Sequence, residues 1–191
     1  VPPVFVTQPQ NLRIILNDNG ANEVFASGTQ PITYQWYHDE ETIDGATTKQ
    51  LDLSNVTEAD EGNYYATAAN ANGSVDSVSA ALFVISPPSI TSQPTNMYVI
   101  RGQAAQTYTG VDFDDGELQL MSWYVYGVEL PPPYNTNFFY LINSYPQNQG
   151  EYKFIAQNEA GSVTSNPVQI YFVTGVRGNL NIAGNLIIHG Q

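Results

Sequence analysis

Asp60-Glu61-Gly62-Asn63-Tyr64-Tyr65-Ala66-Thr67-Ala68-Ala69-Asn70-Ala71-Asn72-Gly73 is the stretch whose reading decides the fold. Asp60 and Gly62 suit a turn, and a period of two then puts Tyr64, Ala66 and Ala68 on one face of a strand. The stretch recurs 88 residues later as Asn148-Gln149-Gly150-Glu151-Tyr152-Lys153-Phe154-Ile155-Ala156-Gln157-Asn158-Glu159-Ala160-Gly161. In this copy Asn148 replaces the aspartate and Phe154 stands where Ala66 stood.

Working outward, Trp123-Tyr124 repeats Trp36-Tyr37 at an offset of 87, and Pro87-Pro88-Ser89-Ile90-Thr91-Ser92-Gln93-Pro94 repeats Pro2-Pro3-Val4-Phe5-Val6-Thr7-Gln8-Pro9 at an offset of 85. An internal repeat of this length means tandem copies of one fold, and 191 residues suit two ordinary domains. The expected boundaries are 1–86, 87–174 and a tail over 175–191. Ser86-Pro87-Pro88 leaves almost no linker, and its prolines restrict the joint, so a semi-rigid rod is expected. Within the first copy, Leu12, Ile14 and Leu16 alternate into the turn cluster Asn17-Asp18-Asn19-Gly20. Val24, Trp36, Leu51, Leu53 and Val56 follow as apolar positions, and Ser74 to Val84 alternates as a closing strand. The second copy's counterpart of Val24 is less legible. Glycine spacing points to Gln106, and a slip points to Ala105 or Thr107.

The pattern resembles the F-strand signature of immunoglobulin-like domains, D-x-G-x-Y-x-C-x-A-x-N-x-x-G. Asp60, Gly62, Tyr64, Ala68, Asn70 and Gly73 match it, and Ala66 takes the cysteine's place. The resemblance implies an all-β fold of two tandem immunoglobulin-like β-sandwiches followed by a short extended β tail. It also implies that Trp36 and Trp123 are the buried strand-C tryptophans beside Ala66 and Phe154, with Val24 at the usual first-cysteine position. Tyr64 and Tyr152, supported by Asp60, Gly62 and Gly150, would form tyrosine corners whose hydroxyls bond back across the preceding loop. Cysteine-free copies with Tyr34-Gln35-Trp36 and Ile43-Asp44-Gly45-Ala46-Thr47 are similar to modules of bacterial surface proteins and phage virions. The resemblance covers about residues 3–173.

Charge narrows the function. Five Lys plus Arg stand against eighteen Asp plus Glu, a formal net charge of −13. No basic stripe exists to neutralise phosphates, so nucleic acid is not an expected partner, and anionic membrane surfaces would repel the chain. The absence of cysteine removes disulfides, thiolate catalysis and cysteine metal sites together. A central disulfide typically contributes ~2–4 kcal/mol. Doing without it suits folding in a reducing cytoplasm, as virion proteins do, or a bacterial surface protein that never used the bridge. No apolar run reaches the ~20 residues that span a bilayer and no signal peptide is visible, so membrane insertion is not expected.

Catalysis has little to work with. His38 lies in the polar turn with Asp39-Glu40-Glu41 and His189 in the tail, and no serine or carboxylate arrangement accompanies either, so an enzyme is not expected. Asp112, Asp114, Asp115 and Glu117 fall in a loop that is longer in the second copy: 13 positions from Gly110 to Trp123, against 8 from Gly28 to Trp36. Clustered carboxylates suit calcium, although the spacing is not that of an EF-hand. The competing reading is a solvated acidic loop, and calcium is the one cofactor considered. Tyr134, Phe138 and Tyr140 follow Pro131-Pro132-Pro133. Alternation puts Phe139 and Leu141 in the core and leaves Phe138 and Tyr140 to face out, where aromatics stack on sugars or seat a protein partner. Packing of these rings within the chain is the alternative.

The tail carries two hexads, Gly178-Asn179-Leu180-Asn181-Ile182-Ala183 and Gly184-Asn185-Leu186-Ile187-Ile188-His189. Leu180, Ile182, Leu186 and Ile188 would share one face of an extended strand that cannot bury that face alone. Short glycine-punctuated repeats of this kind resemble the stems of trimeric fibres. A homotrimer, or docking on other virion proteins, is therefore expected through the tail; a tail packed on its own domain is the alternative. The function expected from the sequence is a non-enzymatic virion-surface protein, namely a head fibre, tail fibre or decoration subunit adhering to a host glycan or protein. The runner-up is a fragment of an extracellular bacterial adhesin or carbohydrate-binding module.

Overall fold

A proline breaks the opening strand of each repeat, and the break sends its two halves into different sheets. The computed structural model describes residues 1–114, 116–173, 180–182 and 186–188. It divides into two compact units, the first Val1–Ser86 and the second beginning at Pro87.

In unit 1 the strands are β1 (Val4–Thr7), β2 (Leu12–Ile15), β3 (Gly20–Glu23), β4 (Phe25–Ser27), β5 (Thr33–His38), β6 (Glu41–Thr42), β7 (Gln50–Leu53), β8 (Gly62–Asn70), β9 (Gly73–Asp76) and β10 (Ala80–Ile85). Proline lacks the N–H a ladder needs, so the strand ends at Gln8-Pro9. β1 pairs with β4, whereas β2 runs parallel to β10 in the order β2-β10-β8-β5-β6. β3 and β4 are one strand interrupted at Val24, and β3 pairs with β7. The expected single closing strand is two pieces, β9 folding back on β8 and β10 continuing beside it.

Unit 2 repeats this plan with β11 (Ser89–Ser92), β12 (Met97–Val99), β13 (Ala105–Tyr108), β14 (Gly110–Asp112), β15 (Leu120–Val125), β16 (Val128–Glu129), β17 (Phe138–Leu141), β18 (Glu151–Asn158), β19 (Gly161–Thr164) and β20 (Val168–Phe172). Its main sheet runs β12-β20-β18-β15-β16, with β11·β14 and β13·β17 forming the opposite layer. The Gln-Pro repeat has a structural use. Gln8 Oε1 accepts the Val78 N–H at 2.9 Å, and Gln93 Oε1 accepts the Asn166 N–H at 2.8 Å. Each glutamine thus supplies a backbone donor near the break between the last two strands with the partner it needs.

Each core lies between two layers, where the missing disulfide would be. Trp36 is fully buried and faces Ala66 across β5 and β8, and its Nε1–H donates to Thr48 O at 3.0 Å. Val24, Ala26 and Leu51 cover it from the other sheet's side of the cluster. In unit 2 the space is filled by rings. Trp123, fully buried, lies 5.5 Å from Phe154 and 5.3 Å from Phe139, and Phe139 lies 4.7 Å from Tyr152. Interlocked aromatics contribute burial plus a directional preference, so two sheets are held by packing where a covalent pin is absent.

The register of the second copy is settled by hydrogen bonds. Val24 N–H donates to Lys49 O at 2.9 Å, and Thr109 N–H donates to Asn137 O at 2.9 Å. Asn22 Oδ1 accepts Gln10 N–H as Thr107 Oγ1 accepts Thr95 N–H. Thr109 is therefore the counterpart of Val24, and Gln106, Ala105 and Thr107 are not. A threonine at a fully buried position conceals the apolar alternation from which register is read. Among the described residues its hydroxyl has no hydrogen-bond partner, and neither do the buried Ser122 and Ser144 hydroxyls nor Trp123 Nε1. Each such group costs about 1–3 kcal/mol.

The tail differs from the single strand expected. β21 (Leu180–Ile182) and β22 (Leu186–Ile188) pair with each other antiparallel, Leu180 opposite Ile188 and Ile182 opposite Leu186. The two repeats therefore serve as partners for one another rather than as one continuous edge.

Candidate functional site

Asp60 and Tyr64 build the feature most legible in the sequence. Tyr64 Oη–H donates to Asp60 O at 2.7 Å, while Asp60 Oδ2 accepts the N–H and the hydroxyl of Thr57, both at 2.8 Å. In unit 2, Tyr152 Oη–H donates to Asn148 O at 2.8 Å, and Asn148 Oδ1 accepts Tyr145 N–H at 2.8 Å. An acceptor oxygen for the backbone N–H three residues back is common to both, and asparagine supplies it as aspartate does; the second bond, from the Thr57 hydroxyl, belongs to unit 1. Burial, then Asp60 and Asp39, push the Tyr64 phenol up to about 12 from 10.0, and burial raises Tyr152 in the same direction. A phenol held neutral in the fold stabilises it fully below the unfolded value of 10.0. For Tyr64 that stabilisation is lost as pH climbs from 10.0 through about 12.

His38 belongs to this corner. Its ring stacks on Tyr64 at 4.4 Å and 5°, its Nε2 lies 2.9 Å from Glu61 O, and Asp39 Oδ2 is 3.6 Å away. Gly62 sits beneath them at φ +143, a conformation that favours glycine, and a Cβ there would meet His38 Nε2 and Asp39 Oδ2 at 2.5 Å and displace those side chains. Gly150, its counterpart, is bounded instead by Val125 and Tyr126. The histidine packs a corner. His189 lies outside the described residues.

The described residues of the acidic loop make local bonds. Asp112 Oδ1 accepts Asp114 N–H at 3.0 Å, a local turn, and Glu117 N–H donates to Glu159 Oε2 at 2.7 Å. Among the described residues no three His, Asp or Glu side chains are placed to hold a metal ion; Asp115 lies outside them.

The three candidate aromatics separate. Tyr134 is partly buried and packs on Phe139 at 5.3 Å and Tyr140 at 5.7 Å, so it belongs with the core, as does the fully buried Phe139. Tyr140 is half-buried against it. Phe138 alone stands out, 51% exposed, opposite Tyr108, 53% exposed, with ring centres 5.9 Å apart. Ser92, Gln93, Thr95, Gln106, Thr107, Tyr108 and Phe138 line a groove of about 300 Å³ on this face. The sequence assigns Tyr108 no face because it leaves the register of this strand open among Gln106, Ala105 and Thr107. The paired tyrosines Tyr37–Tyr65 and Tyr98–Tyr171 stack on the opposite sheets, at 4.8 and 5.1 Å.

Residues 2–70 match the family model described as Immunoglobulin domain. Both units have the immunoglobulin-like sandwich fold. The immunoglobulin-like pair is 27% identical to human (Homo sapiens) neogenin over 178 residues, covering 83% of this chain and 12% of neogenin. It is 27% identical to the netrin receptor DCC of Mus musculus over 176 residues, covering 84% of this chain and 12% of that receptor. The chain therefore spans about an eighth of the length of these relatives. The I-band fragment I67-I69 from titin superposes with a TM-score of 0.75 at 23% identity, over 90% of this chain and 66% of that one, a likeness of fold. Both curated relatives are animal proteins, and neither supports the bacterial or phage origin that the absence of cysteine suggested.

Proposed function

We propose that the chain is a non-catalytic recognition segment of an extracellular, cell-surface protein, its two immunoglobulin-like domains presented for adhesion to a protein or glycan. The observation that carries this reading is the similarity to neogenin and the netrin receptor DCC, which extends through both domains rather than one. The chemistry agrees. His38 is committed to the Tyr64 corner, and no helix among the described residues is long and apolar enough to cross a membrane, a fact silent on β-barrels. The virion reading keeps one specific support, the hexads of the tail, through which the chain would assemble on itself or on a larger particle.

Antibody against the chain, applied to intact, unpermeabilised cells of its source, tests this directly. Surface staining that disappears after external protease is the expected result. Recovery of the protein in purified virus particles, with no staining of cells, would overturn it in favour of the second reading.

A further inference from the structure

We propose that the groove on the outer face of β13 and β17 binds a neutral sugar residue, with Tyr108 and Phe138 as its stacking platform. The internal repeat supplies the comparison. In unit 1 the same cross-strand position pairs Glu23 with Gln50, and in unit 2 it pairs Tyr108 with Phe138. Both units fold alike around it, so the architecture does not require aromatic rings there. Two rings that are each about half exposed forgo burial in return for a surface that can be covered by something else.

The lining names the chemistry. Among the described residues, amides and hydroxyls stand beside the rings: Gln93, Gln106, Ser92 and Thr95, with the buried Thr107 below them holding Thr95 N–H. Gln93 Oε1 is already held by Asn166 N–H at 2.8 Å, which anchors that side chain and leaves its amide N–H groups as donors. A pyranose presents a C–H face to an aromatic ring and hydroxyls around its edge to such donors and acceptors. Among the described residues the groove is lined by no carboxylate and no cation, in a chain of formal charge −13, so sialylated or sulfated sugars are disfavoured by the protein's field. Its volume lies at the small end of ligand pockets, suited to one or two rings rather than to the ~800 Å² per partner of a standard protein interface. Tyr140, packed on Tyr134, takes no part.

This inference rests on the recognition reading, and its test separates the two. The full chain is applied to an array of neutral hexose and N-acetylhexosamine oligosaccharides printed beside sialylated and sulfated counterparts, and the best neutral binder is then titrated. Phe138→Gln and Tyr108→Glu are the variants, since unit 1 carries those residue types at the same positions and folds; circular dichroism confirms that they remain folded. Tyr126→Ala, in the turn between β15 and β16 of the other sheet, is the control. The expected result is binding to neutral sugars, weakened about tenfold or more in each variant and unchanged in the control. Binding confined to charged sugars, no binding by the folded chain, equal binding by both variants, or a change in self-association instead would overturn it. An array without binders, while the same protein still binds intact cells, sinks the sugar site alone; loss of both sinks the recognition reading too.

Discussion

Trp36→Ala is expected to destabilise unit 1 by about 3–5 kcal/mol. Total stabilities of domains are about 5–15 kcal/mol, so the variant's first unit should be largely unfolded or easily opened. The indole is fully buried, sits directly opposite Ala66, and donates to Thr48 O. Truncation therefore leaves both a cavity and an orphaned carbonyl. Ala66 is too small to close the gap, and no disulfide limits the unfolded chain. Limited chymotryptic digestion with mass spectrometry checks this: cuts should appear within residues 1–86 and spare 87–173. Digestion indistinguishable from the parent chain would mean that Trp36 does not organise the core.

Deleting Gly178–Gln191 is expected to abolish self-association, or incorporation into a larger particle, while leaving the thermal stability of each unit nearly unchanged. The hexads pair with each other as β21 and β22, which satisfies one edge of each strand. An isolated two-stranded hairpin is marginal in water, and its outer edges invite further pairing. Leu180, Ile182, Leu186 and Ile188 would each gain ~1.5–3 kcal/mol from full burial, a reason for the hairpin to seek another layer. Light scattering of the full chain and the truncation at matched concentrations gives the answer. Two monomers, with the truncation still incorporated wherever the parent is, would remove the tail from the account of assembly.

What could be read from the sequence followed the chemistry of each position. Tyr64, Asp60 and Gly62 were legible because each has a use that few residue types can fill: a ring with a donor, a side-chain acceptor, and a conformation Cβ forbids. Trp36 and Trp123 were legible for their size. Thr109 was not, because a hydroxyl in a dry site contradicts the alternation used to find it. The Tyr108–Phe138 platform was half seen, with Phe138 placed outward by its own strand and Tyr108 lost with the register. Gln8 and Gln93 appeared only as repeat letters, since their partners Val78 and Asn166 lie 70 and 73 residues away. The bacterial or phage origin was drawn from missing cysteines. Aromatic packing around Trp123, and Val24 against Trp36, fill the two cores without the bridge, so missing cysteines do not by themselves point to a source.

Binding of the soluble, fluorescently labelled chain to intact cells tests the central claim of recognition most directly. The account predicts saturable surface binding that unlabelled chain displaces and that Trp36→Ala or Trp123→Ala weakens by unfolding one unit. A folded chain that shows no saturable binding to any cell type offered would contradict it.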